Sequence, residues 1–178
     1  MIIALAGRRV DAINAEEPRF PLHNVERVSK HVRALLEQLS ATAIVSSAAC
    51  GADLIALTEA GKLGLQRRIV LPYSREKFRE GSVVDRPGDW GALYDSILDD
   101  VEGNGDLIVL SLAKDDDAYS ATNRAILDQA IALGVKRSDA VGVTLVWDGA
   151  SRGKIDYTEE LGSEARKHGL PTYEVSTV

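Results

Sequence analysis

The stretch richest in chemistry is Ser46-Ser47-Ala48-Ala49-Cys50-Gly51-Ala52-Asp53. An apolar run over residues 42–45 precedes it, and Leu54, Ile55, Leu57, Ala60 and Leu63 follow at helical spacing. A strand, a small-residue turn and a helix N-terminus in that order form a ligand site in many α/β proteins. Small side chains let a ligand approach the backbone, and the free N–H groups of the first helical turn attract negative charge. Gly51 allows a positive φ or a close backbone approach. Asp53 either complements the helix dipole and caps the helix or bonds a sugar hydroxyl, because a carboxylate beside a phosphate is repulsive. Cys50 reads as buried packing, with no histidine nearby in sequence to activate it.

Other chemistry-bearing residues fall at comparable places. Arg8 and Arg9 follow an apolar run that ends at Gly7. Arginine binds phosphate or carboxylate through planar bidentate bonds, so at least one of the pair is expected to face an anionic ligand, the alternative being a surface ion pair. Residues 73–88 read as a charged loop. It offers Tyr73, Arg75, Lys77 and Arg79 as contacts and Glu80 and Asp85 as catalytic acids. Tyr119 and Asn123 stand where a later loop enters its helix, with Ser120 or Thr122 as its cap. Asp148 opens a glycine-flanked segment in which Arg152 and Lys154 could supply a late phosphate contact. Asp115-Asp116-Asp117 reads as solvated loop, since three adjacent carboxylates cannot all point inward. No spacing matches an EF-hand or a P-loop, and neither a metal nor a cofactor is expected.

The elements that must position these residues alternate along the chain. Short apolar runs at residues 2–6, 42–45, 68–72, 106–110, 141–147 and 172–175 read as strands. Between them, apolar residues recur at helical spacing over residues 22–39, from Asp53 to Gly64, from Asp89 to about residue 101, around Ile126 to Gly134 and over 157–168. Asp89 is the expected N-cap of the third of these helices. The alternation predicts an α/β fold: a Rossmann-like, doubly wound, mainly parallel sheet of five to six strands with helices on both faces, in one domain over residues 1–178. The polar, glycine-bearing segments follow the strands. They therefore gather at the carboxyl edge, where such sheets bind ligands.

Composition narrows the partners. A net charge of −6 leaves no basic excess for general nucleic-acid binding. A single cysteine excludes an internal disulfide and suits a reducing compartment, so a cytoplasmic location is expected. No apolar run approaches membrane-spanning length, and no membrane partner is expected.

The chain resembles the SLOG superfamily, which groups LOG proteins, the Rossmann domain of DprA and YspA-like proteins. Ala6-Gly7-Arg8-Arg9 is similar to the strand-end opening of YspA-like members. The run from Ser47 to Ala56 is similar to their Gly-Gly-Ala-x-Gly-Ala-Asp-x-x-Ala motif, with Gly51-Ala52-Asp53 its most specific part. Val70-Leu71-Pro72-Tyr73 followed by Phe78-Arg79 adds to the likeness, and residues 119–124 with 146–149 resemble SLOG-like signalling modules more weakly. The Pro-Gly-Gly-x-Gly-Thr-x-x-Glu run of LOG phosphoribohydrolases is absent. The resemblance implies a site for a nucleotide or nucleotide-derived small molecule, contacted by Gly7, Arg8, Arg9, Ser47, Gly51, Ala52, Asp53, Tyr73, Arg79, Tyr119, Asn123 and Asp148, in a sensor or signalling module. It also implies a homodimer. The alternatives are an N-glycosidic-bond hydrolase or transferase using Glu80, Asp85 or Asp53, and an interaction module with a vestigial pocket.

Overall fold

The computed structural model describes residues 1–113, 115–153 and 155–178. Its centre is a six-stranded, fully parallel sheet in the order β4-β3-β2-β1-β5-β6. The strands are β1 (Ile2–Gly7), β2 (Ala43–Ser46), β3 (Gln66–Leu71), β4 (Leu107–Val109), β5 (Val141–Trp147) and β6 (Thr172–Ser176). The helices are α1 (Val25–Gln38), α2 (Ala52–Lys62), α3 (Arg75–Ser82), α4 (Trp90–Gly103), α5 (Asp116–Arg137) and α6 (Tyr157–Lys167). A 3-10 turn, Leu22–Asn24, leads into α1.

The period of two along each strand splits the core into two layers. Ile3 and Leu5 of β1, Ile44 of β2 and Ile69 and Leu71 of β3 face α1, α2 and α4. Ile2 and Ala4, Ala43 and Val45, Val70, and Val143 and Leu145 of β5 face α5 and α6. The continuous apolar reading of these strands follows from burial on both sides. The chain moves out from β1 through β2 and β3 to β4, then returns through α5 to β5 on the other flank of β1. Strand order therefore reverses between β1 and β5, and a doubly wound sheet opens its crevice there.

Two segments differ from the sequence expectation. Residues 75–82, read as loop, form α3. Ser74 caps it, its Oγ accepting the Lys77 N–H at 3.4 Å, and Phe78 and Ser82 are buried one turn apart. A helix of eight residues with one large apolar side chain has too little periodicity to be seen among its charges. The second difference is α5, which starts about ten residues earlier than its apolar pattern. Asp115, read as solvated loop, is its N-cap and accepts the Ala118 N–H at 3.0 Å. Ser120 and Thr122, the expected caps, lie inside the helix. Thr122 Oγ1 donates to the Ala118 carbonyl at 2.7 Å and Ser120 Oγ to Glu160 at 2.9 Å. At α4, Asp89 holds the N-cap position without a side-chain cap bond.

Among the described residues, no helix is long and apolar enough to cross a membrane.

Candidate functional site

A cavity of about 260 Å³ opens at the carboxyl edge of the sheet, beside the β1–β5 reversal. Four parts of the chain wall it: the end of β1, the turn between β2 and α2, the first turns of α5, and the segment from Arg152 into α6. Phe78 and Ser82 of α3 close one side.

The turn after β2 is held by backbone packing. Gly51 has φ +93° and ψ −123°, a conformation that strains other residues, and a Cβ there would stand 2.8 Å from both the Arg8 oxygen and the Val10 nitrogen. Gly7 is needed for a different reason: its added Cβ would collide with the Ala52 Cβ and the Val146 oxygen. The two glycines let β1, β5 and the start of α2 meet backbone to backbone. The Ala52 N–H donates to the Arg8 carbonyl at 3.0 Å. Asp53 reaches back and accepts the Ala49 N–H on Oδ2 at 3.1 Å.

Asp53 is 7% exposed and lines the cavity. Burial raises its carboxyl to about 7, opposed in part by the Ala49 hydrogen bond and the charge of Arg9. It can therefore change protonation near neutrality. Cys50, fully buried next to it, has its thiol pushed up to about 12, chiefly by burial, which leaves no thiolate to act as a nucleophile.

Arg8 is buried and fully engaged. Its side chain is 2% exposed. Nε donates to Asp148 at 2.8 Å, Nη1 to Asp156 at 2.8 Å, and Nη2 to the Ala150 carbonyl at 2.6 Å. The guanidinium also lies 5.4 Å from the centre of the Trp147 ring. Arg19 completes the knot by donating to Asp148 at 2.8 Å and to the Ala150 carbonyl at 2.9 Å. Asp156 also caps α6, accepting the Thr158 and Glu159 N–H groups at 3.0 and 3.2 Å. Burial would raise this carboxyl, but hydrogen bonds from Arg8 and from the Glu159 and Arg152 amides overcome that and hold it below the ordinary carboxylate range.

The knot explains the loop over residues 8–21. Asp11 accepts the N–H groups of Arg19 and Phe20, and its own N–H donates to the Phe20 carbonyl at 2.9 Å. Val10 and Phe20 are buried beneath this clasp, whereas Ile13 at the tip is 86% exposed.

Of the residues singled out from the sequence, Gly7, Arg8, Arg9, Ser47, Asp53, Tyr119, Thr122, Asn123 and Arg152 meet around the cavity. Arg9 donates to both oxygens of Asp85 at 2.9 Å. Asn123 donates its amide to the Tyr157 carbonyl at 2.7 Å. The Tyr119 and Tyr157 rings lie 5.2 Å apart along the wall. The remaining residues lie elsewhere. Gly51 and Ala52 support the wall from behind. Tyr73 is buried, its hydroxyl 2.9 Å from that of Tyr119. Arg79 pairs with Asp95 at 2.9 Å. Asp148 is spent on Arg8 and Arg19. Glu80 is exposed on α3, and Asp85 sits in a separate surface groove with Ile13 and Arg86. Lys154 lies outside the described residues.

Asp156 was missed from the sequence although it carries a signal, because Asp156-x-x-Glu159 ahead of an apolar-periodic run is an N-terminal helix signature. Ser82 carries no such signal; its place on the cavity depends on α3. Among the described residues, no group of three or more histidine, cysteine or acidic side chains could hold a metal ion.

No protein-family model and no curated protein sequence matches the chain. One solved structure with a similar layout is the X-ray structure of DNA processing protein A (DprA) from Streptococcus pneumoniae. The TM-score is 0.46 and the identity 14%, over 97% of this chain and 58% of that one. The chain therefore spans less than two thirds of that protein, and the similarity is one of overall layout.

Proposed function

We propose that the cavity binds a nucleotide or nucleotide-derived small molecule and that the protein acts as a sensor or signalling module. The observation that carries this reading is the convergence of polar groups from four chain segments on one pocket at the strand-order reversal. Its volume of about 260 Å³ lies just under the usual small-molecule range of about 300–1,000 Å³, which suits a group of about mononucleoside size. The SLOG-like run through Gly51-Ala52-Asp53 supports the same ligand class. A cytoplasmic setting and a homodimer belong to this reading, the dimer being checked by light scattering.

Thermal shift with nucleosides, nucleoside monophosphates and cyclic dinucleotides tests the proposal. Ligand at a hundred times its Kd adds about 2.7 kcal/mol, or roughly 5–10 °C in Tm for a chain of this length. If no member of the panel raises Tm, the proposal fails.

One observation favours a second reading, an N-glycosidic-bond hydrolase or transferase. Asp53, with its carboxyl near 7, is an acid inside the cavity, whereas Glu80 and Asp85 do not line it. Proton transfer to a departing base needs such a group near the operating pH. Incubation with nucleoside monophosphates, followed by chromatography for free base, tests this. Release that is lost in Asp53→Asn and kept in Glu80→Gln and Asp85→Asn would favour the enzyme over the sensor.

A further inference from the structure

Two side-chain oxygens on the wall formed by the turn after β2 have no hydrogen-bond partner among the described residues. Ser47 Oγ is buried without a hydrogen bond. Asp53 uses Oδ2 for the Ala49 N–H and leaves Oδ1 unbonded. A buried hydroxyl costs free energy when unpaired, and a carboxylate oxygen that keeps its lone pairs can accept a donor, so both suit a group that fits them.

Several of the local groups that would welcome an anion are already taken. The Ala52 N–H is bonded to the Arg8 carbonyl and the Ala49 N–H to Asp53. The Thr158 and Glu159 amides at the start of α6 are bonded to Asp156. Arg8 is matched by Asp148 and Asp156, and Arg9 by Asp85. A phosphate dianion offers acceptors only, and its charge would add to that of Asp53. A sugar hydroxyl can donate to Oδ1 and exchange a second hydrogen bond with Ser47.

Arg152 differs from the other arginines of the cavity. It lines the wall and has no carboxylate at ion-pair distance among the described residues. It follows β5, while Asp53 follows β2, with β1 between them. Strands about 4.8 Å apart put these two points on the order of 10 Å from each other. We infer that Ser47 and Asp53 form a subsite for a neutral, hydroxyl-bearing sugar, and that Arg152 meets the anionic group of the same ligand at the opposite rim. The inference rests on the nucleotide reading above and adds an orientation to it, with sugar inward and anion outward.

Isothermal calorimetry on the full chain tests the orientation, using nucleosides, their 5′-monophosphates and the 2′,3′-dideoxy 5′-monophosphates. Removal of both hydroxyls is expected to weaken binding roughly 10–100-fold, the worth of hydrogen bonds to a charged acceptor. Asp53→Asn and Ser47→Ala should each shrink that ribo-over-dideoxy ratio. Arg152→Ala should leave the ratio and abolish the preference for monophosphate over nucleoside. Equal binding of ribo and dideoxy monophosphates to the wild type, or tighter monophosphate binding to Asp53→Asn with the ratio unchanged, would overturn the orientation and leave the nucleotide reading standing. Binding by no member of the set would overturn both.

Discussion

Asp53 makes a sharp prediction about stability against pH. Its carboxyl titrates at 3.8 in the open chain and at about 7 in the fold, chiefly because of burial. The folded state therefore holds a proton that the unfolded state has released between those two values. A raised folded value means that the contribution is fully present below about 4 and is lost as pH rises toward 7. Above neutrality the fold carries a buried carboxylate with one backbone hydrogen bond. At about 1.4 kcal/mol per pH unit, the penalty is on the order of 1–4 kcal/mol, the upper figure holding if little water enters the cavity. Asp53→Asn keeps the shape and an acceptor for the Ala49 N–H but cannot ionise. Urea unfolding of both proteins at pH 4.5, 6, 7.5 and 9 is the assay. The variant should gain on the wild type steadily from the lowest pH to about 7.5, then hold its lead. Other titrating groups contribute to both proteins and cancel in the difference. A difference that is flat with pH, or that favours the wild type more at pH 9 than at pH 4.5, would refute the reasoning.

Three further outcomes follow from the site's construction. Arg8→Ala should cost about 3–5 kcal/mol by urea unfolding, because Asp156 would be left buried without its cation and Asp148 with Arg19 alone; a change under 1 kcal/mol would show that the knot is not held by Arg8. Gly51→Ala should destabilise by about 1–3 kcal/mol or more, since the position combines positive φ with close contact to the Arg8 and Val10 backbone; calorimetric Tm is the check, and an unchanged Tm would contradict the packing. Asp115→Ala should cost about 1 kcal/mol and raise hydrogen exchange at Ala118, the amide that it caps, more than at the centre of α5.

Much of the fold was legible because burial on both faces leaves a plain mark on strands. Runs such as Ile2 to Ala6 and Val141 to Trp147 have no polar face to show, and glycines and polar segments mark where they end. The helix α3 was not legible, since it buries only Phe78 and Ser82 and shows charge everywhere else. Asp115 was hidden for a related reason: a cap is recognised by the helix that it starts, and the apolar pattern of α5 begins a few turns further on.

The site divides along the same physical line. The sequence by itself determined that glycines and small residues follow β1 and β2, that arginines and carboxylates gather beyond the strand ends, and that helices follow the strands. Each of these is a local matter of backbone freedom or burial. Which charges meet was decided only by the tertiary structure, because the pairs are far apart in the chain. Arg8 stands 140 residues before Asp148 and 148 before Asp156, and only the insertion of β1 beside β5 brings them together. That pairing removes Arg8 and Asp148 from the list of free groups. Among the described residues, Ser47, Asp53 and Arg152 keep unused bonding capacity at the cavity, a distinction that no reading of residue types along the chain could make.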